Sequence, residues 1–158
     1  MTASLLVDGT GAQATALRAL GHGLQSVSTS EPHHAFGDLG SFDVVVGSPA
    51  IWVEDEDASR EDEFLDAVEA LEPSLFLLET VRGLGSPRHK EFLDDLLEEF
   101  ESMGYMVDAK VITVGGQRRL VILGRPEGES ICWERGQDWR SQPAIVLSNL
   151  IARNLGAS

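Results

Sequence analysis

Residues 42–47, with the sequence Phe-Asp-Val-Val-Val-Gly, form the stretch that decides the fold. Consecutive β-branched residues are typical of a strand that is buried on both faces of a parallel sheet. Two other short apolar runs, Ser4–Val7 before it and Leu75–Leu78 after it, predict further strands. Segments with helical spacing separate the strands, and this alternation favours a sheet with crossover helices.

The helices are predicted from their ends as well as from their apolar stripes. The first runs from about Ala12 to Leu20 and is closed by Gly21. The second follows Ser59, a possible cap, and stops before Pro73. The third starts at Pro87, since proline suits the first helical position. A last helix, residues 143–155, is expected to be capped by Ser141.

Three more strands complete the predicted sheet. Leu24–Thr29 follows the first helix, while Tyr105–Val114 and Leu120–Leu123 form an antiparallel pair joined through two glycines. Residues 31–40 and 126–140 are expected to be irregular. We therefore predict one α/β domain over residues 1–158. Its sheet is doubly wound and mostly parallel, with helices on both faces and an antiparallel pair at one edge.

The charge balance constrains the partners. The chain has 26 acidic and 12 basic residues, a net charge of −14. A nucleic-acid binder needs an excess of Lys and Arg to displace counterions from phosphates. Direct DNA binding is therefore disfavoured, and the expected partner is another protein or a further copy of the chain.

The composition also bears on compartment and metal content. No apolar run approaches the ~20 residues of a membrane span, and the N-terminus lacks signal-peptide features, so we expect a cytoplasmic protein. The single cysteine, Cys132, cannot form an internal disulfide or a cysteine-cluster zinc site. The spacing of Glu31, His33 and His34 suits no standard zinc or iron site, and no metal is expected.

Five segments, in order, resemble those of the DNA cytosine-5 methyltransferase family. The segments are residues 7–11 (Val-Asp-Gly-Thr-Gly), 37–50 (with Gly-Asp-Leu and Val-Gly-Ser-Pro-Ala), 75–84 (Leu-Phe-Leu-Leu-Glu-Thr-Val-Arg-Gly-Leu), 104–124 (with Gly-Tyr and Gln-Arg-Arg) and 141–142 (Ser-Gln). The third is similar to the family's Phe-x-Leu-Glu-Asn-Val-x-Gly-Leu block. The resemblance covers most of the chain and implies the Rossmann-like methyltransferase fold.

The resemblance also implies a cofactor site. The family binds S-adenosylmethionine at its first glycine loop, which here corresponds to Asp8, Gly9 and Gly11. An acid after the second strand holds the ribose, and Glu31 matches it. Asp38 matches the acid that faces the adenine. One carboxylate can accept hydrogen bonds from two vicinal hydroxyls or from an exocyclic amine, so these residue types suit the ligand.

The positions that match the family's catalytic residues are Pro49, Ala50 and Glu79. Ala50 stands where the family has its cysteine. Attack on carbon 6 of cytosine needs a thiolate, and alanine offers no nucleophile. The catalytic set is therefore vestigial on this interpretation, with Glu79 as its one acid.

Other departures concern DNA contact. Only a short stretch follows Gly124 before the last helix, where the family places its target recognition domain. The span from Glu31 to Asp43 is short for the family's usual helix and third strand. Residues 54–63, which would close over DNA, carry seven acids that would repel phosphates.

The resemblance and its departures predict a truncated, methyltransferase-like domain that no longer methylates cytosine. It would serve as a binding, regulatory or structural subunit, with or without bound S-adenosylmethionine. One alternative is a methyltransferase for an acceptor other than cytosine, with Glu79 as its base. A second is an acidic interaction or assembly protein built on the same fold.

Overall fold

The β-branched run after Phe42 forms a central strand, as its composition predicts. The strand covers Val44–Gly47, and all four residues are buried. A computed structural model describes residues 2–28, 36–48, 59–80, 87–114, 117–133 and 142–155. Its strands are β1 (Ala3–Val7), β2 (Gly23–Val27), β3 (Val44–Gly47), β4 (Leu75–Thr80), β5 (Tyr105–Val114) and β6 (Gln117–Pro126).

The helices connect these strands across both faces of the sheet. They are α1 (Gly11–Ala19), α2 (Ser59–Leu71), α3 (Pro87–Ser102) and α4 (Pro143–Asn154), with a 3-10 helix at Phe36–Leu39. None of the helices in the described ranges is long and apolar enough to cross a membrane.

The six strands form one sheet in the order β2-β1-β3-β4-β6-β5. The pairs among β1 to β4 are parallel. Strand β6 runs antiparallel to both β4 and β5, and β5 lies at the edge. The predicted fold class is confirmed, including the antiparallel pair at one edge.

Two apolar clusters cover the two faces of the sheet. Helices α2 and α3 pack on one face through Phe64, Val68, Leu96 and Phe100. Helices α1 and α4 pack on the other through residues that include Leu17 and Leu150. Alternate residues of β4 point into different clusters, so the strand is buried on both sides, as a central strand of this type should be.

An aromatic group forms the centre of the α2/α3 face. The ring of Phe76 lies 4.3 Å from that of Phe100, 5.3 Å from Tyr105 and 6.1 Å from Phe64 between centroids. Phe76 also faces Gly124 directly across the β4–β6 ladder. A Cβ added at Gly124 would lie 1.9 Å from Phe76 Cε2, so the ring occupies the space above the glycine.

Several predicted boundaries were wrong. Strand β6 extends beyond Leu120–Leu123 at both ends because every residue of β5 finds a partner along it. Strand β2 ends at Val27 rather than Thr29, which lies outside the described residues. Helix α4 has Gln142 as its N-cap, without a side-chain capping bond, and Ser141 also lies outside the described residues. Residues 36–39, which were expected to be irregular, form a 3-10 helix, and β3 begins at Val44 rather than at Phe42.

Candidate functional site

The carboxyl ends of β1, β3 and β4 meet at one edge of the sheet because these strands are parallel. Strand β1 lies between β2 and β3, so the next two strands of the chain lie on opposite sides of it. Ligands of open α/β sheets bind at such a point, outside the carboxyl ends of the strands. The candidate site is therefore the edge where Asp8, Ser48 and Glu79 lie.

The turn after β1 has an unusual backbone. Asp8 has a φ of 47°, and its N–H donates to Val27 O at 3.0 Å, which fastens the turn to β2. A Cβ at Gly9 would lie 2.1 Å from Leu6 Cγ. Contact with the Leu6 side chain is therefore enough to require glycine here, and no ligand is needed to account for it. A Cβ at Gly11 would meet nothing within 4 Å. The space at the start of α1 is open at Gly11.

Gln13 links this turn to β3. Thr10 and Gln13 form a capping box, with Thr10 Oγ1 accepting from Gln13 N and Gln13 Oε1 accepting from Thr10 N. The buried Gln13 amide also donates to Gly47 O at 3.3 Å. Sequence reasoning missed this residue, although the Thr-x-x-Gln spacing is a known signal for a helix start.

Glu79 is the buried acid of the site. Its side chain is only 2% exposed, and Oε1 accepts from Arg119 Nη1 at 2.9 Å. The Arg119 side chain is itself only 15% exposed. On the neighbouring strand end, Ser48 Oγ donates to Glu79 O at 3.0 Å, so the ends of β3 and β4 are joined.

The β4–β6 register explains why Arg119 reaches Glu79. Glu79 stands opposite Val121, and Arg119 lies two residues further along the same face of β6. Diagonal neighbours of this kind are within reach of long side chains. The Gln-Arg-Arg motif at residues 117–119 indicated this segment, but only the register identifies which arginine contacts the acid.

Burial raises the pKa of Glu79, and the charge and hydrogen bond of Arg119 oppose that rise. The structure thus places a carboxyl with an elevated pKa beside one guanidinium at the sheet edge. Such a group can accept or donate a proton nearer neutral pH than an exposed glutamate can.

The raised pKa predicts a pH-dependent stability. The folded protein binds the proton of Glu79 more tightly than the unfolded chain does, so this contribution to stability is complete below the ordinary value of 4.5. It is lost as the pH rises through the folded pKa. Urea unfolding between pH 4 and 8 should show the wild type losing stability relative to Glu79→Gln. In Arg119→Met the loss should extend to higher pH, and parallel curves would contradict the assignment.

The other predicted site residues are only partly placed. The Asp38 side chain is exposed on the 3-10 helix, which packs with α2 through Phe36 on the α2/α3 face. Glu31, Pro49 and Ala50 lie outside the described residues. The predictions for these positions, and for Asp8, Gly9 and Gly11 as cofactor contacts, stay predictions.

A hollow of about 430 Å³ lies at the opposite edge of the sheet and is lined by Thr2, Asp43, Ser74 and Leu155. Asp43 Oδ2 accepts from Ala3 N at 3.0 Å there. The Asp43 carbonyl also accepts from Ser74 N at 2.8 Å. These bonds hold the amino ends of β1, β3 and β4 together, and the hollow is a structural feature of that edge.

The chain is similar in sequence to known methyltransferases. The family "C-5 cytosine-specific DNA methylase" matches residues 56–115. The Type II methyltransferase M.SacI of Streptomyces achromogenes is 27% identical over 128 residues, which is 68% of this chain and 33% of M.SacI. M.XorII of Xanthomonas oryzae is 32% identical over 73 residues, or 41% of this chain and 17% of M.XorII. The chain thus spans a third or less of these curated relatives.

Solved structures share the fold. A putative DNA modification methyltransferase encoded within a prophage of E. coli has a TM-score of 0.59 at 15% identity, covering 80% of this chain and 47% of that chain. The E. cuniculi Mtq2–Trm112 complex has a TM-score of 0.51 at 18% identity, covering 80% of this chain and 86% of that chain. That complex is responsible for the methylation of the eRF1 translation termination factor.

Proposed function

Because this chain is a relative of the DNA cytosine-5 methyltransferase family, we propose that it is a non-catalytic, methyltransferase-fold subunit that binds rather than methylates. The residue that carries the proposal is Ala50. Strand β3 delivers Ser48 to the edge beside Glu79, with a 3.0 Å bond from Ser48 Oγ to Glu79 O. Two residues later in the sequence, the family's cysteine position holds an alanine. Without a thiolate, no covalent bond to carbon 6 of cytosine can form.

The connection between β6 and α4 supports the same proposal. Strand β6 ends at Pro126 and α4 begins at Pro143, and the Asn154 side chain bonds back to the Cys132 backbone. The family's target recognition domain would stand between these two elements. A connection this short has no room at this place for a domain that reads bases or extrudes one from the duplex. The net charge of −14 also opposes binding to phosphates.

Three residue types in the sequence suit S-adenosylmethionine. The ligand carries ammonium, hydroxyl and exocyclic amine donors, and carboxylates such as those of Asp8, Glu31 and Asp38 can accept from such groups. Open space at Gly11 leaves the start of α1 accessible to a bound group. When bound, the cofactor would supply a methyl group on a sulfonium. The chain's own part would be to hold that ligand at the sheet edge.

Two measurements test the proposal. In titration calorimetry with S-adenosylmethionine and with its demethylated product, a retained pocket gives micromolar binding that Glu31→Ala reduces at least ~10-fold. Glu98→Ala, an exposed acid on α3, serves as the matched control and should bind as the wild type does. If neither ligand gives a binding signal, the cofactor pocket is not retained, and the proposed role is that of a scaffold for a protein partner.

The second measurement is incorporation of a labelled methyl group into DNA. The proposal expects no incorporation above a protein-free control, even at high protein concentration. Cytosine methylation above that background would refute the non-catalytic assignment, whatever the calorimetry shows.

A second candidate function is methyl transfer to an acceptor other than cytosine. The observation that favours it is the buried Glu79 with its raised pKa, which suits a general base. The matched chain of the Mtq2–Trm112 complex, which is responsible for methylating a protein, is covered over 86% of its length. Labelled methyl groups appearing in protein rather than DNA, and lost in Glu79→Gln, would support this candidate over the first.

A further inference from the structure

Strand β5 is the outer strand of the sheet on the side of β6. Within the described ranges, no strand pairs with its outer edge. Two of its side chains are unusually exposed for their type, Met106 at 43% and Val111 at 44%. A ten-residue edge strand with apolar residues in solvent is a site where another strand can add.

The backbone of β5 shows which groups face that edge. The N–H of Ala109 donates to Asp108 Oδ1 at 2.9 Å, a bond made on the solvent side rather than in the ladder with β6. In an antiparallel strand, alternate residues direct both backbone groups outward. The residues two and four away from Ala109 therefore present their N–H and C=O groups to a partner. Ala109 presents its C=O, and its N–H would exchange the bond to Asp108 Oδ1 for one to the partner strand.

The sequence around Ala109 is symmetric in its chemistry. Residues 106–112 read Met-Val-Asp-Ala-Lys-Val-Ile. On either side of Ala109 stand first an acid and a base, then two valines, then two large apolar residues. An antiparallel copy of the same strand would match each member of these pairs with its counterpart.

We propose that β5 is the seam of a homodimer, in which two copies pair antiparallel about a twofold axis at Ala109. Asp108 of each copy then faces Lys110 of the other, and Val107 faces Val111. Met106 faces Ile112. The two sheets join into one, and the interface is isologous, as a twofold dimer requires. Opposite charges directly across a ladder stabilise it, whereas like charges there destabilise it.

Trp133 positions both charges on the same face. Its Nε1 donates to Asp108 Oδ2 at 2.7 Å. Lys110 Nζ lies 5.3 Å from the Trp133 ring centroid, within cation–π distance. Holding the two side chains in place before association lowers the entropy lost when they pair.

A rival explanation assigns Asp108 the opposite role. Charged residues on edge strands commonly block pairing, and two chains of net charge −14 repel one another. On that explanation, removing the Asp108 charge would favour association. The two explanations therefore predict opposite effects for the same substitution.

Sedimentation velocity of the full chain over a range of concentrations in 0.15 M salt tests the seam. The wild type should show a monomer–dimer equilibrium. Asp108→Lys and Lys110→Asp should each raise its dissociation constant about tenfold or more, because each creates two like-charged pairs across the seam. The double charge swap should restore it to within about threefold of the wild type. Lys90→Asp, on α3, changes the net charge as Lys110→Asp does and should have little effect.

Hydrogen exchange gives a second readout that needs no substitution. The amides of Ala109 and Val111 should become more protected as the wild-type concentration rises through the dissociation constant. A chain that stays monomeric to ~1 mM would overturn the proposal, since edge pairing of this extent should be detectable there. Tighter association of Asp108→Lys than of the wild type would overturn it as well.

Discussion

Phe76→Ala should lower the free energy of unfolding by about 3–5 kcal/mol, the usual cost of truncating a fully buried phenylalanine. The ring is fully buried, and it contacts the rings of Phe64, Phe100 and Tyr105. Its loss would leave a cavity at the centre of the α2/α3 face. Urea denaturation at pH 7 measures the change, and Ile145→Ala, at an exposed apolar residue on α4, is the control.

The contact with Gly124 makes this prediction more specific. Gly124→Ala alone should destabilise the protein by about 1–3 kcal/mol, because its methyl group would overlap the Phe76 ring. In the Phe76→Ala background the same methyl group enters vacated space. The double variant should therefore be at least as stable as Phe76→Ala alone, with a favourable coupling energy. Additive losses would show that the ring does not occupy the space above Gly124.

The second large effect is expected at Asn154. Asn154→Ala should lower the free energy of unfolding by about 2–4 kcal/mol. The side chain is fully buried. Its Oδ1 accepts from Cys132 N at 2.7 Å, and its Nδ2 donates to Cys132 O and Leu150 O, each at 2.8 Å. Truncation leaves both backbone groups of Cys132 without these partners.

Asn149→Ala is a matched control, since Asn149 lies in the same helix with an exposed side chain. Its effect on the free energy of unfolding should be within about 0.5 kcal/mol of zero. Because Cys132 precedes Trp133, Asn154→Ala should also loosen the indole from Asp108. Equal losses for the two asparagine variants would contradict the role assigned to Asn154.

The sequence predicted the fold because the strands carry complete local signals. The β-branched residues of β3 indicated a strand without any tertiary information, and β5 was predicted to its correct ends. The ends of β6 could not be predicted in the same way. Polar Arg118 and Arg119 and the Gly-Arg-Pro at its end interrupt the apolar run, and only pairing with β5 makes them strand.

The position of the site in the fold could be predicted from the sequence, but most of the contacts between its residues could not. The glycines after β1 and the acid at the end of β4 both indicated the carboxyl edge of the sheet. The ion pair from Arg119 to Glu79 depends on the register between β4 and β6, which periodicity along one strand does not determine. Gly9 shows the reverse case, because a glycine expected to admit a ligand is already explained by the Leu6 side chain.

The bonds from Asn154 to the backbone of Cys132 have a practical consequence. Asn154 bonds the main chain of Cys132 and leaves the thiol exposed, and this is the chain's single cysteine. A maleimide dye would therefore attach at one known position without competing for the bonds that fix the segment. The attached dye would sit next in sequence to Trp133, whose indole contacts β5, and would report on that strand by fluorescence.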